Sequence, residues 1–189
     1  MDLVDLIEEK KFLGQEFLTW LWFKSEERGG TVFLPEAGED IQLVFEKHML
    51  LEYGEGENRE KLICRGLMTE LKEARTGLAM GKKLEQARML LSRGEYEWNL
   101  SFKATLMEFR NVKPPRTMSS AEESNDPDAV EGKLLEHIGL HETLVKTFDQ
   151  LFRMFLAVRT VPAWEDELAR IRRWIGKGDN AIRSTQDGI

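Results

Sequence analysis

Two histidines, His137 and His141, stand four residues apart, the spacing at which two imidazoles on one helix face can share a metal ion. No general-base glutamate lies between them in the metalloprotease pattern, Cys64 is remote, and His141 falls on an apolar seam. The pair therefore reads as core or surface histidines, and no metal is expected. Gly54-Glu-Gly-Glu-Asn58 has the glycines of a phosphate loop but not its lysine or its following helix, and two glutamates would repel phosphate. It reads as a turn. Glu95 and Glu97 are paired carboxylates on the polar side of an alternating segment, where solvated charge is the ordinary state. With no nucleophile elbow, Cys-His pair or zinc cluster, the expectation is a protein that is not an enzyme, with no catalytic residues and no cofactor.

What remains is charge. The 189 residues carry a net charge of −7, which argues against a uniformly basic coat but leaves room for a local one. Residues 1–30 hold 4 basic and 7 acidic side chains, 31–81 hold 6 and 10, and 82–116 hold 8 and 4. Residues 117–142 then hold 1 and 7, and 143–189 hold 8 and 6. A basic middle is flanked by acidic segments. Its cations, Lys82, Lys83, Arg88, Arg93, Lys103, Arg110, Lys113 and Arg116, are of the kind that neutralises phosphates along a sheet. They equally suit a solvated surface, because Lys103 shares its strand face with Glu95 and Glu97.

These residues are positioned by elements legible from hydrophobic period. Phe12, Leu13, Phe17, Trp20, Leu21 and Phe23 recur at helical spacing up to Gly29-Gly30. Trp20 and Trp22 cannot share one face, so part of a second face should be buried by the fold or by a partner. After Pro35, alternation from Ile41 to Tyr53 predicts one long strand or a hairpin broken near Glu46-Lys47. A strand over 61–65, a helix from Glu70 to about Met80 closed by Gly81, and a strand pair over 83–92 and 96–102 turning at Arg93-Gly94 follow. Leu106 to Val112 reads as a further strand, stopped by Pro114-Pro115.

The acidic stretch 117–130 has too little apolar surface to order itself and reads as a mobile linker. Beyond it Leu134, Ile138, His141, Val145, Phe148, Phe152 and Phe155 form a single helical seam, widened by Leu135, Leu144, Leu151 and Leu156. A last helix is expected over Ala163–Ile175, with a flexible tail from Gly176. The expected organisation is an α+β core over 1–116, the linker 117–130, a helical segment 131–175 and the tail 176–189. The fold class is α+β, an antiparallel sheet packed against an N-terminal helix and long C-terminal helices.

A single cysteine and no signal-peptide pattern point to a reducing, cytoplasmic compartment. The most apolar run, Phe17 to Phe23, is about a third of the roughly 20 residues a membrane-spanning helix needs. Trp20, Trp22, Phe148, Phe152 and Phe155 are candidate interface residues, either core of their own chain or contacts to another protomer in a homodimer.

The segment Met68-Thr-Glu-Leu-Lys-Glu-Ala-Arg-Thr-Gly-Leu-Ala-Met-Gly-Lys-Lys-Leu84 resembles the short helix of the recombination-associated RdgC proteins, closed by Gly-Lys and a hydrophobic residue. The hairpin after it, the strand Leu106-Met-Glu-Phe109, the acidic gap and the long terminal helix follow in similar order. Phe12-Leu-Gly-Gln-Glu-Phe-Leu-Thr-Trp-Leu-Trp-Phe-Lys-Ser-Glu26 is similar to the start of shorter, divergent members. The resemblance spans about residues 12–158 and lacks the family's usual N-terminal portion. It implies a non-enzymatic, sequence-independent double-stranded DNA binder that dimerises into a ring, associates with the nucleoid and restrains RecA-promoted recombination. It also implies that Arg65 and Lys82, flanking the short helix, face DNA. The alternative expectation is a protein-interaction module, an accessory or inhibitory factor of a phage or bacterium, using the Trp-rich and long terminal helices and needing no basic face.

Overall fold

The computed structural model describes residues 13–54, 59–65, 70–116 and 127–186. In chain order the elements are α1 (Leu13–Glu27), β1 (Thr31–Leu34), β2 (Glu39–Tyr53), β3 (Glu60–Arg65), α2 (Glu70–Ala79), β4 (Lys83–Arg93), β5 (Tyr96–Lys103), β6 (Glu108–Lys113), α3 (Pro127–Arg159) and α4 (Trp164–Gln186). This is the expected α+β class. The six strands form one antiparallel sheet in the order β1-β2-β4-β5-β6. β1 and β3 share one edge of the long β2, because residues paired with them on that edge are paired with β4 on the other.

Alternation decides which side of the sheet is buried. Ile41, Leu43, Phe45, Met49 and Leu51 of β2, Leu84, Ala87, Met89 and Leu91 of β4, and Trp98, Leu100 and Phe102 of β5 all face the helices and form the core. Phe17 of α1 sits at its centre, with Phe102 and Phe152 edge-on at 6.0 and 5.2 Å and Phe155 at 5.6 Å. Phe148 of α3 closes the far side against Phe102 and Phe109. Burying rings of this size is the main stabilising term, each contributing on the order of 2–3 kcal/mol.

Helix α1 is buried on two faces by its own chain. Trp20 packs on Phe155 and donates its indole N–H to the buried Glu167 of α4, 3.0 Å away. Trp22 packs edge-on against Trp174 at 4.8 Å, and Arg75 of α2 stacks on Trp174 while pairing with Glu26. One cation and one carboxylate thus fasten α1, α2 and α4 together. Gly14 permits the closest approach, since a Cβ there would overlap the Ala104 carbonyl oxygen.

Five features differ from the sequence reading. β1, too short to show a period, pairs with the start of β2 across the turn at Gly38 (φ 68°). The β4–β5 turn lies at Gly94-Glu95, one residue later than expected, because Arg93 still pairs with Tyr96 and Gly94 takes φ 59°. β6 begins at Glu108, since Leu106 and Met107 form a turn with Met107 at φ 50°. α3 starts at Pro127, inside the range assigned to the linker, where proline's fixed φ suits a first turn; residues 117–126 lie outside the described residues. α4 continues past Gly176 to Gln186, so the backbone expected as tail is helical to that point.

The C-terminal helices are not a separate body. Leu144, Phe148, Leu151, Phe155 and Ile171 belong to the same core cluster as the sheet.

Candidate nucleic-acid interface

The helices all pack on one face of the sheet, and among the described residues nothing covers the other. That open face is built from the alternate residues of each strand. Strict alternation would scatter the basic residues over both faces: Lys83 and Arg88 differ in parity, as do Arg110 and Lys113. Two irregularities bring them together. In β4 the register slips at Glu85, so that Leu84 and Ala87 both face the core while Lys83, Gln86 and Arg88 share the open side. In β6 it slips between Arg110, opposite Ser101, and Lys113, opposite Asn99. Asn111 takes φ 51° there, a left-handed conformation that asparagine tolerates better than most residues.

The register then places Arg65, Lys83, Arg88, Lys103, Arg110 and Lys113 on the open face, together with Lys61. Asp40, Glu46, Glu52, Glu97 and Glu108 share that face. Basic residues outnumber acidic ones on a chain whose total is −7. Six of the nine cations singled out from sequence and resemblance are thereby assembled on one surface.

The other three are elsewhere. Lys82 lies in the turn before β4, pairing with Glu60 at 2.8 Å; the ammonium beside Glu60 holds that carboxyl below its usual value. Arg93 is a structural residue on the helix-covered side, its Nε donating to Glu39 at 2.7 Å and its Nη1 to Thr147 of α3 at 2.7 Å. Arg116 is exposed beyond the end of β6.

On the open face the charges are partly engaged with one another. Arg88 contacts Glu46 at 2.8 Å and Asn99 at 2.9 Å, both through Nε, and Asn99 donates to Glu46 at 2.7 Å. Arg110 pairs with Glu108. Glu52 is buried at 6% exposure beneath Arg59 and Lys61, and opposite Lys83 in register. Phe33, Val44, Leu50, Ile63 and Leu90 supply the apolar remainder.

The five candidate interface residues are core of their own chain. Trp20, Trp22, Phe148 and Phe155 are buried, and Phe152, partly buried, packs against the same core. The apolar seam of α3 is also displaced from expectation. Leu140, Leu144, Thr147, Phe148, Leu151 and Phe155 face the core, whereas Leu134, Ile138, His141 and Val145 face outward. The expected single seam is thus two stripes of one helix, one facing the core and one facing outward. His137 and His141 stand exposed on that outward side beside Glu142 and Lys146; no group of three or more His, Cys, Asp or Glu side chains placed to hold a metal ion occurs among the described residues. No helix among them is long and apolar enough to cross a membrane.

The buried Glu85, which receives Gln15 at 2.7 Å and Thr105, was not singled out from sequence. It ties the start of α1 to the β5–β6 turn. Only the bulge, invisible to period counting, would have revealed it.

No family model matches the chain, and neither a curated protein nor a solved structure matches it.

Proposed function

We propose that the chain is a non-enzymatic, sequence-independent double-stranded DNA-binding protein whose contact surface is the open face of the sheet. The observation that carries this reading is the gathering of six cations from four strands onto one surface that no described element covers, on an acidic protein, where local potential rather than net charge governs attraction to phosphate. A role in restraining RecA-dependent recombination at the nucleoid rests on the resemblance of residues 68–84 and depends on DNA binding. The test is duplex binding by fluorescence anisotropy as salt rises from about 50 to 200 mM. Affinity falling by orders of magnitude supports the reading, because contacts to several phosphates release counterions. No binding at low salt removes it.

A protein contact is favoured by a separate observation, the outward stripe of α3, where Leu134, Ile138 and Val145 are about half exposed. We assign it to a second copy of this chain. The 4-3-4 spacing of Leu134, Ile138, His141 and Val145 is the same read from either end, so two antiparallel helices superpose Leu134 on Val145 and Ile138 on His141. Light scattering should give twice the 21.9 kDa chain mass, reduced to one copy by Ile138→Glu with the fold retained. A monomeric wild type would exclude the pairing.

A further inference from the structure

We propose that the phosphate grip of the open face is its β4–β5–β6 half, with Arg88 as a guanidinium fork and Lys103, Arg110 and Lys113 beside it. This patch holds the phosphodiester backbone without reading bases. The inference rests on the DNA-binding reading above and divides its surface in two.

The two halves of the face differ in how their cations are occupied. On β2 and β3, Arg59 and Lys61 gather on the buried carboxylate of Glu52, with Lys83 opposite it in register. A carboxylate that deep needs those charges around it, and withdrawing them toward phosphate would leave it buried and unpaired. The rest of that half sets one further cation, Arg65 opposite His48, against Asp40 and Glu46, with Val44 and Ile63 about half exposed. It is poorly suited to a polyanion.

On β4, β5 and β6 the register forms three rows: Gln86, Lys103, Glu108; Arg88, Ser101, Arg110; and Leu90, Asn99, Lys113. Both contacts of Arg88 use Nε, so the terminal nitrogens of its fork take no part in them. A guanidinium pinned by one nitrogen is pre-oriented for bidentate contact with a phosphate. Glu108, opposite Lys103, is engaged by Arg110. Among the described residues Lys103 and Lys113 have no acidic partner. Strands lie about 4.8 Å apart, so the patch is about 10 Å across. Duplex DNA presents one charge per about 1.7 Å of axis, more than enough to meet four cations.

The patch also lacks what base recognition in single strands requires. No aromatic side chain stands on the open face of β4, β5 or β6, whereas unpaired bases are held by stacking on aromatic rings. Duplex is therefore bound at least as tightly as a single strand of the same length.

Four phosphate contacts set a ceiling of about −3.6 on the slope of log affinity against log salt. The experiment measures that slope on the full chain for a random-sequence duplex and for its separated strand. The triple variant Lys103→Gln, Arg110→Gln, Lys113→Gln should flatten the slope by about 2.7, and Lys61→Gln with Lys83→Gln should leave it unchanged. The charge-keeping variant Lys103→Arg, Arg110→Lys, Lys113→Arg should restore it, which separates lost charge from lost fold. Wild type that binds duplex but loses as much through Lys61 and Lys83 overturns the assignment while sparing DNA binding. Preference for the single strand overturns the backbone grip. A wild type that binds no DNA fails the parent reading itself.

Discussion

The two faces of the sheet are made by the same strands and differ in every property that matters for function. The covered face is aromatic and aliphatic, closed by Phe17, Phe148 and Phe155 from three directions. The open face mixes cations, carboxylates and polar residues with Val44, Leu50, Ile63 and Leu90, and is covered by none of the described elements. Because side chains alternate along a strand, stability and surface chemistry are written into one sequence at alternate positions, and they separate cleanly except at bulges. Substitutions on one face should therefore move folding and spare binding, and the reverse on the other.

The largest effect is expected on the covered side. Phe17→Ala should lower unfolding free energy by about 3–5 kcal/mol in urea titration, since Phe17 touches rings from α1, β5 and α3 at once. Arg93→Gln sharpens the contrast from within the basic segment. It removes donors from Glu39 and Thr147, and should cost about 1–3 kcal/mol while leaving the salt slope of DNA binding unchanged. Lys103→Glu with Lys113→Glu should do the opposite, shifting stability by no more than about 0.5 kcal/mol while abolishing duplex binding.

The smallest effect is a pH one. Lys82 lowers the carboxyl of Glu60 by hydrogen bond and charge. The contact therefore contributes stability above the ordinary value of 4.5, and that contribution disappears as pH falls through the lowered folded value. Lys82→Gln should reduce the acid sensitivity of the melting temperature slightly. An unchanged profile would show that the exposed pair contributes nothing.

Much of this was legible in the sequence. The alternation in Tyr96–Phe102, the helical spacing of α1 and the Gly81 stop of α2 each express a single local period, and each element stands where that period placed it. The misread features all needed information that period counting lacks. Leu134 and Phe148 lie on stripes of the same helix, and which stripe meets the sheet depends on where α1 stands. Trp20 and Trp22 looked suited to a partner because no count reveals that α3 and α4 bury them. The open face was the hardest to see, since the parity of Lys83 against Arg88, and of Arg110 against Lys113, is corrected only by bulges that leave no compositional trace.

The central claim, that phosphate meets the open face, is tested most directly by amine labelling of the lysines with and without a duplex at low salt, read residue by residue by mass spectrometry. Lys103 and Lys113 should be protected by DNA, while Lys72 on α2 and Lys146 on α3, both exposed, should react equally in the two states. Protection of Lys72 or Lys146 with Lys103 and Lys113 fully reactive would contradict it.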